Sequence, residues 1–468
     1  MAEGPERPTL MWAGKRPPWS AAANSERRRP RLDLELAPEP APEPPVAPDE
    51  LYRGDNLEVL DALVADRAGT VDLVYLDPPF ASQADYKRTV RLRSEAGRGP
   101  GFERTQYADS WREGDYLQFM FDRLARCHAL LHARGALFLH CDWHQSHRLR
   151  CLLDELFGPD NFRNEIVWHY YNKLQGNVGR FAANHDTILF YAKSSEAPFA
   201  KLRERRAEPV RQIKRVWSKD KRSIVNAKGP DGKVEYVTAT HKTVDDVWRL
   251  AMLQPADRRE AVGYPTQKPE ALLERIVAAA TEPGATVLDP FMGSGTTGAV
   301  AAKLGRRFVG IDREPAAVHA CARRWLAIHG RLDAHAPLRI KNGLDDTACA
   351  VRSGAGLRIH ALEPEPEARG VVELARVDGE VVVTGFAPPE LLAEVRARLG
   401  DGAVDDWRAL VDAIVIDFDH DGAVVRPDVI DAPPARTLVR GRYRLPERVG
   451  AVAVRVVDLL GRAWTVVA

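Results

Sequence analysis

The most informative stretch of the sequence is Asp289-Pro290-Phe291-Met292-Gly293-Ser294-Gly295-Thr296-Thr297. It joins an apolar run, ATVLDPF, that predicts a buried strand to a run, TTGAVAAKLG, that predicts a helix. Glycines at such a corner let a ligand approach the backbone, and the helix N-terminus adds free N–H groups. A nucleotide-like ligand is therefore expected at this strand end. No Gly-Lys-Ser/Thr follows, which disfavours a phosphate-binding loop, and an ordinary strand-to-helix turn remains the alternative.

The next predicted strand, RRFVGID, ends in Asp312. A carboxylate roughly twenty residues after a glycine-rich corner is placed to accept hydrogen bonds from ribose hydroxyls. The alternative is a helix-capping aspartate ahead of Glu314-Pro315.

A second motif, Asp77-Pro78-Pro79-Phe80, follows the apolar run VDLVYL, which predicts a strand buried on both faces. Consecutive prolines supply no N–H groups and stiffen the loop. They leave one carboxylate, exposed carbonyls and one aromatic ring, which together can accept hydrogens from an amino group and stack on a flat base. The alternative is a proline-rich turn with a core phenylalanine.

Strands alternate with helices around both motifs, which predicts a doubly wound α/β domain. We divide the chain into a disordered basic arm and proline-rich linker (1–50), a first α/β half (51–194), a basic insert (195–255), a second α/β half (256–332) and a β-rich accessory domain (335–468). The accessory domain contains a predicted hairpin with Asp378-Gly379 at its turn.

Composition restricts the function classes. The chain has 468 residues, 45% of them hydrophobic, and 67 basic residues nearly cancel 66 acidic ones. A nucleic-acid interaction must therefore come from a local patch rather than from the net charge. Five cysteines without a CxxC pair disfavour a disulfide scaffold or a zinc ribbon. No run resembles a signal peptide or a membrane span, so we expect a soluble, cytoplasmic protein.

The insert is the local basic patch. Between Lys201 and Lys228 eleven basic residues face three acidic ones. Such a segment can contact phosphates, and a solvated charged loop is the alternative. The candidate contacts are Arg203, Arg205, Arg206, Arg211, Lys214, Arg215, Lys219, Lys221 and Arg222.

Taken together, the motifs resemble those of the DNA amino-methyltransferases that use S-adenosylmethionine. DPPF resembles their catalytic tetrapeptide, DPFMGSGTT their cofactor loop, and the segments GDN (54–56), GYPTQKP (263–269) and MWAGKRP (11–17) resemble further motifs. The catalytic motif precedes the cofactor loop, which is the circularly permuted order of the β class. That class includes modification subunits of type III restriction systems. The resemblance covers roughly residues 51–330 and leaves the C-terminal domain outside.

The resemblance implies a Rossmann-like methyltransferase fold with a mostly parallel, seven-stranded sheet. It makes residues 51–194 the catalytic half, 195–255 the target-recognition insert and 256–332 the cofactor-binding half. Asp77 and the Pro78 carbonyl would accept the amino hydrogens of a flipped base, with Pro79 beside them and Phe80 stacking on the base. Tyr75 and Tyr86 are weaker aromatic candidates, and Tyr75, which lies within a predicted strand, is expected to be a core residue. The implied cofactor residues are Asp55, Thr266, Gln267, Lys268, Asp289, Phe291, Gly293, Gly295, Thr296 and Asp312.

The implied reaction is methylation of adenine N6 in duplex DNA, since DPP[YF] usually accompanies adenine in this family and SPP[YF] cytosine. Cytosine-N4 methylation and a catalytically silent DNA-binding subunit remain alternatives. An RNA or protein amide methyltransferase is disfavoured, because its usual motif is Asn-Pro-Pro-Tyr. A homodimer and a role in a restriction or defence system are possible. The histidines of HCDWHQSH (140–147) are expected to be loop and core residues, and no metal is expected.

Overall fold

The elements below belong to the part of the chain that the structure, a computed structural model, describes. These residues are 9–19, 28–37, 46–80, 85–97, 99–108, 111–173, 179, 181–254, 256–257, 259–332, 337–341, 343–344, 347, 350–352 and 354–468. The strands are β1 (Arg31–Leu36), β2 (Asp49–Arg53), β3 (Val71–Leu76), β4 (Asp85–Arg91), β5 (Gly101–Ala108), β6 (Leu131–Cys141), β7 (Phe162–His169), β8 (His185–Ala192), β9 (Arg203–Ile213), β10 (Arg215–Ser218), β11 (Ser223–Asn226), β12 (Tyr236–Thr243), β13 (Val247–Arg249), β14 (Thr286–Asp289), β15 (Arg307–Asp312), β16 (Leu357–Ala361), β17 (Val372–Val377), β18 (Glu380–Phe386), β19 (Val411–Asp417), β20 (Val429–Asp431), β21 (Arg442–Arg444), β22 (Ala453–Asp458) and β23 (Ala463–Val467). The helices are α1 (Asn56–Arg67), α2 (Glu113–Leu130), α3 (Ser146–Phe157), α4 (Glu270–Ala280), α5 (Thr296–Lys303), α6 (Pro315–Ile328) and α7 (Pro389–Leu399).

One large sheet has the strand order β1-β16-β2-β15-β14-β3-β6-β8-β7-β13. Its strands are parallel from β16 to β6, and β8 is antiparallel to both of its neighbours. Strands from the early part of the chain, β2 and β3, pair with the late strands β15 and β14. This interleaving brings the strand ends at Asp77, Asp289 and Asp312 to one edge of the sheet, and it confirms the mostly parallel α/β fold.

Helices cover both faces of the sheet, as expected for a doubly wound fold. On one face α1, α2 and α3 bury side chains such as Leu60, Phe121 and Leu152. On the other face α4, α5 and α6 bury side chains such as Leu273 and Trp325. Each helix therefore presents an apolar stripe to the sheet and holds the loops at its edge in place.

The sheet has ten strands rather than the seven expected, because three strands extend its edges. β16 pairs in parallel with β2, and β1 pairs with β16 and buries Leu34 and Leu36. β13 extends the other edge beside β7. The expected linker of residues 1–50 thus contains an edge strand, and the expected accessory domain contributes β16 to the catalytic sheet. Apolar burial and ladder pairing outweigh the disordering composition around β1.

Smaller β structures surround this sheet. β4 and β5 form a hairpin that the sequence did not predict, and the insert forms a ribbon in which β9 pairs with β12 and β10 with β11. The C-terminal part forms two sheets, β17-β18-β21 and β20-β19-β22-β23. The predicted hairpin is confirmed. Asp378 and Gly379 both have positive φ angles, which a type I′ turn requires. In the described ranges no helix is long and apolar enough to cross a membrane.

Candidate active site

A cavity of about 500 Å³ opens at the sheet edge where the two principal motifs meet. Asp77 and Gly293, more than two hundred positions apart in the chain, both line it. The wall also contains most of the residues expected to bind a cofactor, namely Asp55, Thr266, Gln267, Lys268, Asp289, Phe291, Thr296 and Asp312. The segment DPFMGSGTT (289–297) is called the glycine loop below. The cavity is therefore shared by the Asp77 carboxylate of the DPPF motif and the glycine loop.

The glycine loop is held by two strand-end carboxylates. Asp312 Oδ2 accepts the N–H of Gly293 at 2.9 Å, and its Oδ1 accepts the N–H of Glu314 at 2.8 Å. Asp289 accepts the N–H of Phe291 at 3.0 Å and the Thr297 hydroxyl at 2.6 Å. Each carboxylate oxygen has a further lone pair that a ligand hydroxyl can use.

Gly295 serves packing rather than the cavity surface. It adopts a left-handed backbone at φ 73° as the N-cap of α5, and a Cβ there would collide with Cys321 of α6. Gly293, at φ 49°, faces the cavity with Tyr264 nearby. Glycine is therefore required at the two positions for different physical reasons. Of the two, only Gly293 lies on the cavity wall.

The cavity is acidic. Burial, together with the charges of Asp77 and Asp312, raises the pKa of Asp289 to about 7. Burial likewise raises the pKa of Asp312 to about 6, and Glu314 lines the same wall. A bound cation relieves repulsion among carboxylates, so the residues present fit a positively charged ligand that carries ribose hydroxyls, as S-adenosylmethionine does.

Asp77 is directly paired with a cation. Its Oδ2 accepts a hydrogen bond from the Lys268 ammonium, and its Oδ1 lies 4.0 Å from His140 Nδ1. The same Lys268 nitrogen lies 5.5 Å from the centre of the Phe80 ring. Lys268, expected only beside the cofactor, thus reaches the DPPF motif as well.

A buried polar network lies behind Asp77. His140 Nε2 lies 3.1 Å from Asp186 Oδ2, and Tyr170 donates to the other oxygen of Asp186 at 3.1 Å. The Asp186 carboxylate favours a proton on Nε2, which leaves Nδ1 to accept the Tyr75 hydroxyl at 3.0 Å. Tyr75 is a core residue, as expected, yet its ring also reaches the cavity. The network fixes the strand that ends in Asp77.

His140 itself was expected to be a core residue, and its complete burial confirms this. Its contact with the surroundings of Asp77 was not expected from the sequence. Among the described residues no group of three or more His, Cys, Asp or Glu side chains could hold a metal ion.

The segment before α4 is held in a constrained form. Thr266 has a φ of 62°, a left-handed conformation that is unusual for a β-branched residue. The Gln267 side chain donates to the Glu260 carbonyl at 2.9 Å and accepts the Val262 N–H at 3.0 Å. Gln267 therefore folds its own loop, although its side chain also borders the cavity.

Arg324 of α6 ties this segment to the glycine loop. It donates to the Ser294 carbonyl and the Thr296 hydroxyl, each at 3.1 Å, and to Glu270 at 2.9 Å. Thr296 also donates to the Lys268 carbonyl at 3.2 Å. Arg324 was not predicted from the sequence, since a lone arginine in a helix carries no local pattern.

The GDN motif contributes two residues. Asp55 caps α1 by accepting the Leu57 N–H at 2.8 Å, and Asn56 donates to the Pro290 carbonyl at 2.8 Å. Arg123 of α2 pairs with Asp55 at 3.2 Å and lies 3.5 Å from the centre of the Phe119 ring. Arg123, Phe119 and Trp111 line the cavity and were missed by the sequence analysis.

The remaining DPPF residues occupy different positions. Pro79 lines the cavity, whereas Pro78 is buried. The centre of the Phe80 ring lies 5.8 Å from the centre of the His140 ring. The side chain of Tyr86 lies outside the described residues.

The basic insert is an exposed ribbon. Arg211 lies 4.4 Å from the centre of the Tyr236 ring, Lys214 pairs with Glu235 at 2.9 Å, and Arg206 donates to the His241 carbonyl at 3.3 Å. Within the described chain, eight of the nine candidate residues make no ion pair, and these are Arg203, Arg205, Arg206, Arg211, Arg215, Lys219, Lys221 and Arg222. The ribbon therefore presents uncompensated positive charge.

Two characterised proteins are similar in sequence. The DNA adenine methyltransferase YhdJ of Escherichia coli (strain K12) is 27% identical over 263 residues, which cover 56% of this chain and 77% of YhdJ. The type II methyltransferase M.HinfI of Haemophilus influenzae is 25% identical over 277 residues, covering 58% of this chain and 67% of the relative.

Solved structures are more distant. The M1.HpyAVI–SAM complex has a TM-score of 0.38 and 22% identity, covering 59% of this chain and 98% of its own. The PvuII cytosine-N4-specific DNA methyltransferase has a TM-score of 0.38 and 18% identity, covering 63% and 90%. The family model for the N6/N4 DNA methylases matches residues 71–323, which is more than half of the chain. Of the α/β segments that build the cavity, only β2 and α1 lie outside the matched residues. The chain therefore belongs to the N6/N4 family of DNA methylases, and its methyl donor is S-adenosylmethionine.

Proposed function

We propose that this enzyme methylates the exocyclic N6 of an adenine flipped out of duplex DNA. The observation that carries the proposal is the shared cavity, in which Asp77 faces the glycine loop. A base held at Asp77 and a methyl donor held at Gly293 then meet within one enclosed space. Enclosure and fixed positions are what an in-line methyl transfer requires from the protein.

The cofactor is held by the strand-end residues. We assign the ribose to Asp312, the adenine of the cofactor to the neighbourhood of Asp55 and Phe291, and the methionine portion to the segment from Thr266 to Lys268. When bound, S-adenosylmethionine supplies an electrophilic methyl group on a positively charged sulfur. The carboxylates of Asp289 and Asp312 offset that positive charge.

Asp77 and the Pro78 carbonyl make the amino group reactive. The lone pair of an adenine amino group is delocalised into the ring, so the amino nitrogen is a poor nucleophile. Accepting both amino hydrogens draws electron density back to nitrogen and directs its lone pair at the methyl group. The nitrogen would gain the methyl group while the methyl–sulfur bond breaks and its electron pair returns to sulfur. The nitrogen then carries one hydrogen too many, and the Asp77 carboxylate is placed to receive it as a proton. Phe80 stacks on the base.

Lys268 controls access to Asp77. Its ammonium donates to Oδ2 of Asp77, the carboxylate that the amino group needs. We propose that Lys268 holds the carboxylate in place in the empty pocket and moves aside as the amino group docks. The exchange replaces one N–H donor by another, so Asp77 is never left without a partner.

The ribbon supplies the DNA contacts. A base inside a duplex cannot reach the cavity, and flipping it out costs a few kcal/mol. Eight of the arginine and lysine side chains make no ion pair with the residues that the structure describes. Their contacts with phosphates offset that cost and make binding depend on salt. The nine basic residues named for the insert are the proposed contacts.

Adenine is favoured by two observations. The motif has Asp77 where the cytosine-N4 enzymes of this family usually carry serine, and the relative YhdJ is named as a DNA adenine methyltransferase. Cytosine N4 is the second candidate, because both amino groups present the same pair of hydrogens to an acidic acceptor.

Nucleoside analysis separates the two targets. We expect duplex DNA incubated with the purified chain and S-adenosylmethionine to yield N6-methyldeoxyadenosine after digestion and mass spectrometry. N4-methyldeoxycytidine in its place would establish the second candidate. The absence of both products on DNA of varied sequence would refute the proposed activity.

A further inference from the structure

The outer part of the ribbon carries an exposed apolar pair. β10 and β11 are antiparallel, and Trp217 is directly opposite Ile224. Directly opposite residues project from the same face of a two-stranded ribbon, and Arg215 opposite Asn226 shares that face. Trp217 is 64% exposed and Ile224 is 65% exposed. The face therefore presents two large apolar side chains to solvent.

The β10–β11 hairpin offers little protein surface against which Trp217 and Ile224 could be buried. A two-stranded hairpin is at best marginally stable in water without a further layer, and both strands here are largely exposed. Large apolar side chains gain free energy when a partner covers them. The pair is thus arranged for contact with another molecule.

The charges around the pair identify that molecule. Arg215 lies on the same face, and the turn that joins the strands contains Lys219, Lys221 and Arg222 against a single acidic residue, Asp220. In the described part of the chain none of these four basic side chains is in an ion pair. A polyanion with apolar surface between its charges complements this pattern, and duplex DNA has that character.

We infer that the β10–β11 hairpin enters the major groove of duplex DNA, with Trp217 and Ile224 against the base edges and the basic turn against the phosphates. The major groove is about 12 Å wide and admits a two-stranded ribbon. This inference rests on the proposed DNA-binding role of the ribbon and adds an apolar contact to its electrostatic one.

The other end of the ribbon is anchored to the body of the protein. Glu204 at that end accepts hydrogen bonds from Arg275 of α4 and Lys242 of β12. Trp217 lies thirteen residues beyond Glu204 along the chain, on a different pair of strands. The apolar pair is therefore not among the residues that anchor the ribbon.

Salt dependence tests the inference, because apolar contacts and phosphate contacts respond differently to it. We expect the double variant Trp217→Ala/Ile224→Ala to bind a random-sequence duplex at least about fivefold more weakly than wild type at every salt concentration. The slope of log Kd against log salt should stay unchanged, since no phosphate contact is lost. Fluorescence anisotropy with a labelled duplex measures both quantities.

Two control variants make the result decisive. Trp217→Phe/Ile224→Val keeps apolar surface and should retain most of the affinity. Val377→Ala, which shortens an exposed side chain on β17, should have no effect. An unchanged affinity in the double alanine variant, or a loss of affinity that comes with a flatter slope, overturns the inference.

A second copy of the chain is the competing occupant. If light scattering shows a wild-type dimer that the double alanine variant converts to a monomer of equal DNA affinity, the pair is a dimer contact and the inference is wrong. The proposed function is tested separately by wild-type methylation of DNA. If the wild type methylates DNA but the hairpin substitutions do not change DNA affinity, only this inference is refuted. If the wild type does not methylate DNA, the proposed function is refuted.

Discussion

The cavity and the ribbon treat charge in opposite ways. In the cavity two of the carboxylates are matched within the protein, since Lys268 pairs with Asp77 and Arg123 pairs with Asp55. In the ribbon, among the residues described, eight of the nine basic candidates have no ion pair. Paired charges hold side chains in position before a ligand binds. Unpaired charges remain available to attract a partner of opposite charge. We therefore expect changes in the cavity to affect the chemical step and changes in the ribbon to affect DNA affinity.

Asp77 gives the strongest test of this division. Asp77→Ala should lower the rate of methyl transfer by at least about 100-fold, because the amino group loses the acceptor that activates it. Single-turnover methylation measures the rate, and calorimetry should show that S-adenosylmethionine still binds. Asp66→Ala, which removes an exposed carboxylate from α1, serves as the control and should keep full activity. Normal turnover in Asp77→Ala would refute the role assigned to this side chain.

Neutralising the tip of the ribbon should produce the converse effect. The variant Arg215→Gln/Lys219→Gln/Lys221→Gln/Arg222→Gln should bind DNA with a slope of log Kd against log salt that is smaller by up to about 3 to 4. Its rate of methyl transfer at saturating DNA should match wild type, since no cavity residue has changed. Anisotropy titrations across a salt series measure the slope.

A control with two substitutions uses basic residues elsewhere on the surface. Arg376→Gln/Arg396→Gln in the C-terminal part removes two exposed charges and should leave the slope unchanged. A wild-type slope in the ribbon variant would mean that these four side chains do not contact phosphates.

The sequence predicted the parts of the site that have a local pattern. A strand followed by DPPF and a strand followed by a glycine corner both have short-range causes, and the parallel sheet then brings Asp77, Asp289 and Gly293 together. The division into two halves separated by an insert is a prediction from the same strand and helix patterns. These features depend on residues close in sequence and on the geometry common to parallel sheets.

Other parts of the site depend on contacts between distant residues. Arg123, Arg324 and His140 reach the cavity region only because α2, α6 and β6 pack where they do. The same holds for β1, whose surroundings have the composition of a linker but whose leucines are buried against β16. Side chains placed by tertiary packing carry no local pattern, so a single sequence could not reveal them.

The acidity of the cavity gives the smallest effect and the sharpest test of charge matching there. Burial raises the pKa values of Asp289 to about 7 and Asp312 to about 6. A bound sulfonium favours the ionised carboxylates, so binding releases protons and affinity falls as the pH drops through these values. We expect S-adenosylmethionine to bind about tenfold more weakly near pH 5.5 than near pH 7.5, as measured by calorimetry.

Two controls link that trend to the carboxylates. S-Adenosylhomocysteine lacks the sulfonium charge, so its affinity should change less over the same range. Asp289→Asn cannot ionise and should remove the part of the trend above about pH 6, leaving the part that belongs to Asp312. If S-adenosylmethionine binds equally well across the range, the carboxylates do not offset the sulfonium charge. The matching of charge in the cavity would then be confined to the ion pairs of Asp77 and Asp55, and the ribose contact at Asp312 would have to be explained by hydrogen bonding alone.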